Sequence, residues 1–143
     1  MELAFDQVVA AFVAKLEESP AVCSLILNSD DRPVSDDVNE AVNVFFYVSQ
    51  PQPLTINGAP IDWITRVIVD CFARSKTLPA RKAPSQLAKK VYERLAIDPT
   101  LGNGDWFIGY PSIETDADVQ SQRAGMMRLT YRVEHRTSAN ILE

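Results

Sequence analysis

The stretch Met127-Arg-Leu-Thr-Tyr-Arg-Val-Glu134 alternates one apolar residue with one polar residue throughout. A period of two is that of a β-strand, whose successive side chains point to opposite faces. Met127, Leu129, Tyr131 and Val133 therefore belong to a buried face, and Arg128, Thr130, Arg132 and Glu134 to a face that meets water or a partner. A second long β-patterned run, Ile61–Phe72, sets Trp63, Val67, Val69 and Cys71 against Asp62, Arg66 and Asp70, with Ile64 and Ile68 interspersed. That mixture predicts one core face and one partly exposed face. Val- and aromatic-rich Ala41–Ser49 reads as a strand covered on both sides, apolar Ala21–Leu27 as a further strand, and Trp106–Ile113 as another.

Two helices complete the pattern. Phe5, Val8, Val9, Phe12, Val13 and Leu16 follow helical spacing, which predicts a helix over Leu3–Ser19, ended by Pro20. Leu87, Val91 and Leu95 predict a second over Ser85–Ala96, opened by Pro84 and stopped by Asp98-Pro99. Between the elements lie Asn28–Asn39 with four aspartates (Asp30, Asp31, Asp36, Asp37), a loop or hairpin tip containing Pro51, Pro53, Asn57-Gly58 and Pro60, and a basic loop, Arg74–Pro84. A turn spans Thr100–Asp105, and Glu114, Asp116 and Asp118 form an acidic link. Helix, strands, helix, strands is the order of an α+β fold. The expectation is one domain over residues 1–137, a mixed or antiparallel sheet of about five strands packed with two main helices, and a frayed tail over 138–143.

With 143 residues, 46% hydrophobic and 23% charged, the chain has the make-up of one globular domain and can bury its own core. No apolar run is long enough for a membrane helix and the start is acidic, which points to a soluble, cytosolic chain without a membrane partner. The formal charge of −5 argues against direct nucleic-acid readout. Its distribution is uneven: residues 1–70 carry a net −8 and residues 71–143 a net +3. The split can serve a head-to-tail contact between subunits, or reflect two solvated faces of different sign.

The chemistry-bearing residues are few. His135, the single histidine, must anchor any triad; at a strand end, on the parity of Val133, it reads as packed rather than as a base. Cys23 and Cys71 sit in apolar strands, where free thiols behave as small hydrophobes. Gly102-Asn103-Gly104 is too short for a phosphate loop. The four-aspartate loop could hold a hard divalent cation but lacks EF-hand ligand spacing. No cofactor and no catalytic residue is expected. The basic residues Arg74, Lys76, Arg81 and Lys82, and the row Arg128, Arg132, Arg136, spaced about 14 Å per four residues, could meet phosphates or an acidic protein surface.

Taken with the element order, VNVFFYVS (Val42–Ser49), IDWITRVIVDCF (Ile61–Phe72), QLAKKVYERL (Gln86–Leu95) and ETDADVQSQRAGMMRLTYRVEHRT (Glu114–Thr137) resemble the small tail terminator, or tail completion, proteins of long-tailed bacteriophages, the group typified by the phage lambda tail terminator. The resemblance covers most of the chain as pattern and order. The proline-rich connection Pro51–Pro60 and the basic loop depart from it. It implies a structural protein of a phage or prophage, not an enzyme: a homohexameric ring that caps the tail tube, stops tube polymerisation and offers the surface for head attachment. The implied partners are other copies of itself, the tail tube protein and a head-completion or connector protein. The implied location is the host cytoplasm during assembly and then the virion tail. Ring contacts would use Asp30, Asp31, Asp36 and Asp37 on one surface and Arg74, Lys76, Arg81 and Lys82 on another, with Arg128 and Arg132. A small enzyme anchored on His135 or a cysteine, or a ligand-binding domain, is the alternative.

Overall fold

A computed structural model describes residues 3–29, 39–52, 59–74, 82–118, 124–138 and 142. Its elements are α1 (Ala4–Glu17), β1 (Ile26–Asn28), β2 (Glu40–Pro51), β3 (Ile61–Arg74), α2 (Ser85–Ala96), β4 (Phe107–Ile108), β5 (Ser112–Asp118) and β6 (Ala124–Thr137). The strands form one mixed sheet in the order β1-β2-β3-β6-β4, with β5 also paired to β6. Only β1 and β2 run parallel; the other pairs are antiparallel. The fold is α+β, with six strands and two helices.

Both helices lie on one face of the sheet: α1 packs on β1 and β2, α2 on β3 and β6, and the helices touch each other. Val8, Val9, Phe12 and Leu16 of α1 and Leu87, Val91 and Leu95 of α2 are buried against Val42, Val44, Val67, Val69, Leu129 and Val133. Apart from Val42 and Val44, these are the residues that the helical and two-residue periods single out. Leu129, Tyr131 and Val133 are buried and Met127 is half-buried, so the alternation assigns the face of β6 correctly. The Ser85–Ala96 helix has the predicted bounds.

Four local readings change. The Ala21–Leu27 strand shrinks to Ile26–Asn28, because the Val22 amide donates to the Leu16 carbonyl at 3.1 Å and closes the end of α1 instead of joining a ladder. Arg74 is the last residue of β3, not the first of a loop; its amide donates to the Asn39 carbonyl at 2.8 Å. The single strand over Trp106–Ile113 is divided at Gly109–Pro111 into β4 and β5. The acidic link is strand, not connection: β5 runs beside β6 with Glu114 directly opposite Arg128, an opposite-charge cross-strand pair of the kind that stabilises a sheet. The Pro51–Pro60 region joins an antiparallel hairpin, with Pro51 opposite Trp63 and the Gln52 amide donating to the Asp62 carbonyl at 2.8 Å.

Arg94 ties the helices together. Its guanidinium donates to the Lys15 carbonyl at 3.1 Å, the Glu18 carbonyl at 2.8 Å and the Pro20 carbonyl, satisfying the carbonyls at the C-terminus of α1 that have no helical partner. Past α2, Asp98 accepts from the Thr100 amide (3.0 Å) and hydroxyl (2.7 Å) and from the Gly102 amide (2.8 Å), and these bonds hold its carboxyl below the usual range. Gly102 takes φ +80°, a left-handed conformation that glycine adopts without strain.

Candidate assembly face and polar cleft

The sheet face opposite the helices is built from alternate residues of β2, β3 and β6. The register lines them up in rows: Asn43, Asp70, Arg128 and Glu114; then Phe45, Ile68 and Thr130; then Arg66 and Arg132; then Ile64 and Glu134; then Asp62 and Arg136. Among the described residues no helix covers this face. Ile68 is buried, and Phe45, Ile64, Phe72 and Met126 are half-buried. The face is an apolar patch crossed by charge pairs.

Those pairs have well-defined geometry. Arg128 grips Asp70 with two bonds, Nε to Oδ1 at 2.8 Å and an Nη to Oδ2 at 3.0 Å, and its guanidinium lies 6.0 Å from the Phe45 ring centroid. The bonds to Asp70 push the Arg128 pKa up. Arg136 grips Asp62 at 2.7 and 3.2 Å, a contact that lowers the Asp62 pKa. Arg132 reaches Glu134 at 3.2 Å. Arg66, exposed, stands directly opposite Arg132, a like-charge juxtaposition that a sheet does not favour by itself.

Of the ten residues expected at contacts, the structure brings Arg128 and Arg132 onto this face. Arg74 sits at the end of β3 with its guanidinium 5.2 Å from the Phe72 ring centroid, and Lys82 is exposed just before α2. Asp30, Asp31, Asp36, Asp37, Lys76 and Arg81 lie outside the described residues.

At the end of the β3–β6 pair lies a cleft of about 970 Å³, lined by residues from both sides of the sheet that include Asp62, Asn103, Asp105, Trp106, Glu134 and His135. His135 is only 3% exposed. Its ring meets Phe5 edge-on at 5.7 Å, and its Nε2 is 2.5 Å from the Thr65 hydroxyl, which in turn is 2.7 Å from the Ser49 hydroxyl. Beside it the Trp63 indole N–H donates to Thr137 Oγ1 at 2.8 Å. Burial lowers the His135 pKa and favours the neutral imidazole. His135 is one of the residues that line the cleft. The hydroxyl chain was not legible in the sequence, because Ser49, Thr65 and His135 meet only through the registers of three strands.

The thiols are packed as expected. Cys71 is fully buried and burial pushes its pKa far up; Cys23 is half-buried, donates to the Leu25 carbonyl at 3.2 Å and is shifted in the same direction. Thiols so shifted are poor nucleophiles at neutral pH. No group of three or more metal-ligating side chains occurs among the described residues. Neither a protein-family model nor a curated protein sequence matches the chain.

Proposed function

We propose that the protein is a structural subunit of a phage or prophage tail, a tail terminator that closes the tail tube as a ring, stops its growth and presents the surface to which the head attaches. The observation that carries this reading is the sheet face opposite the helices. Phe45, Ile64, Phe72 and Met126 keep part of their apolar surface exposed there, beside charge pairs. A face that mixes apolar area with fixed charges suits a protein contact: the apolar area supplies affinity and the charges set orientation. The long strands that build it, β2, β3 and β6, carry three of the four segments that resemble the tail terminator family.

A closed ring of identical subunits needs two different surfaces on each copy. The sheet face is one kind of surface and the acidic and basic stretches of the sequence supply another. Catalysis is the weaker reading, since both thiols are packed and the imidazole is held by a hydroxyl within the core. Mass measured by light scattering over a range of concentration and salt, followed by negative-stain imaging, tests the proposal. Rings that form with rising concentration, and that halt tube growth when mixed with tube protein, are the expected result. A monomer at every concentration rejects it.

A further inference from the structure

The open sheet face carries one cation that its own residues do not answer. Arg128, Arg132 and Arg136 each hold a carboxylate, whereas Arg66 has no ion pair among the described residues. Arg66 is exposed and stands directly opposite Arg132, with Ile64 and Ile68 on either side of it along the same face of β3. Directly opposite residues have Cβ atoms about 5 Å apart, so two like charges there work against the sheet unless an anion comes between them. An unpaired arginine alone would be an ordinary solvated side chain. The second observation is where the unanswered carboxylates lie. Elsewhere, the exposed carboxylates have a cation beside them: Glu18 has Lys15, Glu93 has Lys89, Glu114 is opposite Arg128, and Asp105 acts on Arg136. Asp6 and Glu17 have none among the described residues; both are exposed and both belong to α1. Eleven residues make three turns of helix, which sets these two within about 20° of one direction and about 16 Å apart along the axis. They lie off the stripe of Phe5, Val9, Phe12 and Leu16 that α1 buries.

We infer that the Asp6–Glu17 side of α1 in one copy of the chain docks on the open sheet face of the next, where Arg66 together with Arg132 receives a carboxylate. The inference rests on the ring proposal and names the contact that would join neighbouring subunits. Charge complementarity selects the occupant, because the unanswered cation lies on one side of the sheet and the unanswered carboxylates lie on the helix layer that covers the other. Two open faces set against each other would give Arg66 no free acceptor, since Asp62, Asp70 and Glu134 are already paired. Helix layer against open face joins two different surfaces, as a head-to-tail ring requires. Half-buried Phe45, Val48 and Ile64, at neighbouring positions of the face, add apolar area to the contact.

The test is a charge swap in the full-length chain, read by sedimentation velocity and by thermal melts. R66E should weaken subunit association by about tenfold or more, while its melting temperature stays level or rises, because the substitution sets a carboxylate opposite Arg132. A side chain that served only the fold would move the melt the other way. D6N/E17K removes both carboxylates without placing a cation in the first turn of α1, where the helix dipole disfavours one. It should weaken association by a similar factor, and a mixture of the two variants should recover it. Association unchanged in either variant, a mixture that recovers nothing, or an R66E subunit that melts below the unaltered chain overturns this inference and leaves the ring proposal standing. A chain that never associates overturns both.

Discussion

The two faces of the sheet are made from the same strands and differ in what covers them. On the helix side, β3 and β6 present Val67, Val69, Leu129 and Val133, each fully buried under α1 and α2. One residue along, the same strands present Ile64, Asp70, Arg128 and Glu134, all half-buried, with Asp70 and Arg128 paired to each other and Glu134 to Arg132. The first face is closed by the chain's own helices, so its free energy is spent within the subunit. The second keeps apolar surface and fixed charges at the boundary with solvent, and under the proposed function that surface is the one offered to a partner. A one-residue step along a strand separates the covered face from the open one.

Substitutions should break or sharpen that contrast. The largest effect is expected on the helix side: Leu129→Ala should lower stability by about 2–5 kcal/mol in denaturant unfolding, since a buried leucine leaves a cavity that the helices cannot fill. A loss well under about 1 kcal/mol would mean that the two faces are not energetically distinct. On the opposite face, Asp70→Asn leaves the Arg128 guanidinium with a weaker acceptor; with Arg128 partly exposed, the cost should be about 1 kcal/mol. Phe72→Ser, on the same face, should cost about 1 kcal/mol or less yet abolish association in light scattering. Association that survives would place the contact elsewhere.

The smallest effect concerns pH. Burial lowers the His135 pKa, so below about pH 6.5 the unfolded chain binds a proton that the folded chain resists. Stability should fall as pH drops through this window towards the folded value, and rise again with pH. His135→Gln should remove that part of the slope while retaining a polar group near Thr65. Unfolding midpoints measured between about pH 5 and 7.5 check the sign. An unchanged slope would mean that the ring stays accessible to protons in the folded chain.

Much of the helix side was legible in the sequence because burial leaves a period. The helical spacing of Leu87, Val91 and Leu95, between Pro84 and Asp98-Pro99, bounded α2 without error. The alternation from Met127 to Val133 assigned β6. The strand β5 was missed because its alternation is faint, Ile113, Thr115 and Ala117 against Glu114, Asp116 and Asp118, and Ile113 is exposed rather than in the core; its reason for being a strand is the neighbour it pairs with, Arg128 among them. The Ala21–Leu27 run misled in the opposite way, being apolar because Val22 and Cys23 pack against the core as irregular chain. Arg94 carried no sequence signal, since its three acceptors lie more than seventy residues away. The same holds for the contacts of Arg128 and of His135. Period and punctuation report which residues are buried, whereas cross-strand register decides which polar groups meet.

The strand order also governs how the molecule is made. β3 is flanked on one side by β2, its hairpin neighbour, and on the other by β6, which begins fifty residues after β3 ends and also carries β4 and β5 on its far edge. A nascent polypeptide halted before Ala124 leaves β3 with one bare edge, gives β4 and β5 nothing to pair with, and strands α2 above an unfinished layer. Subunits cut short during synthesis should therefore be unable to take the native form, and would be kept out of any assembly that selects for it.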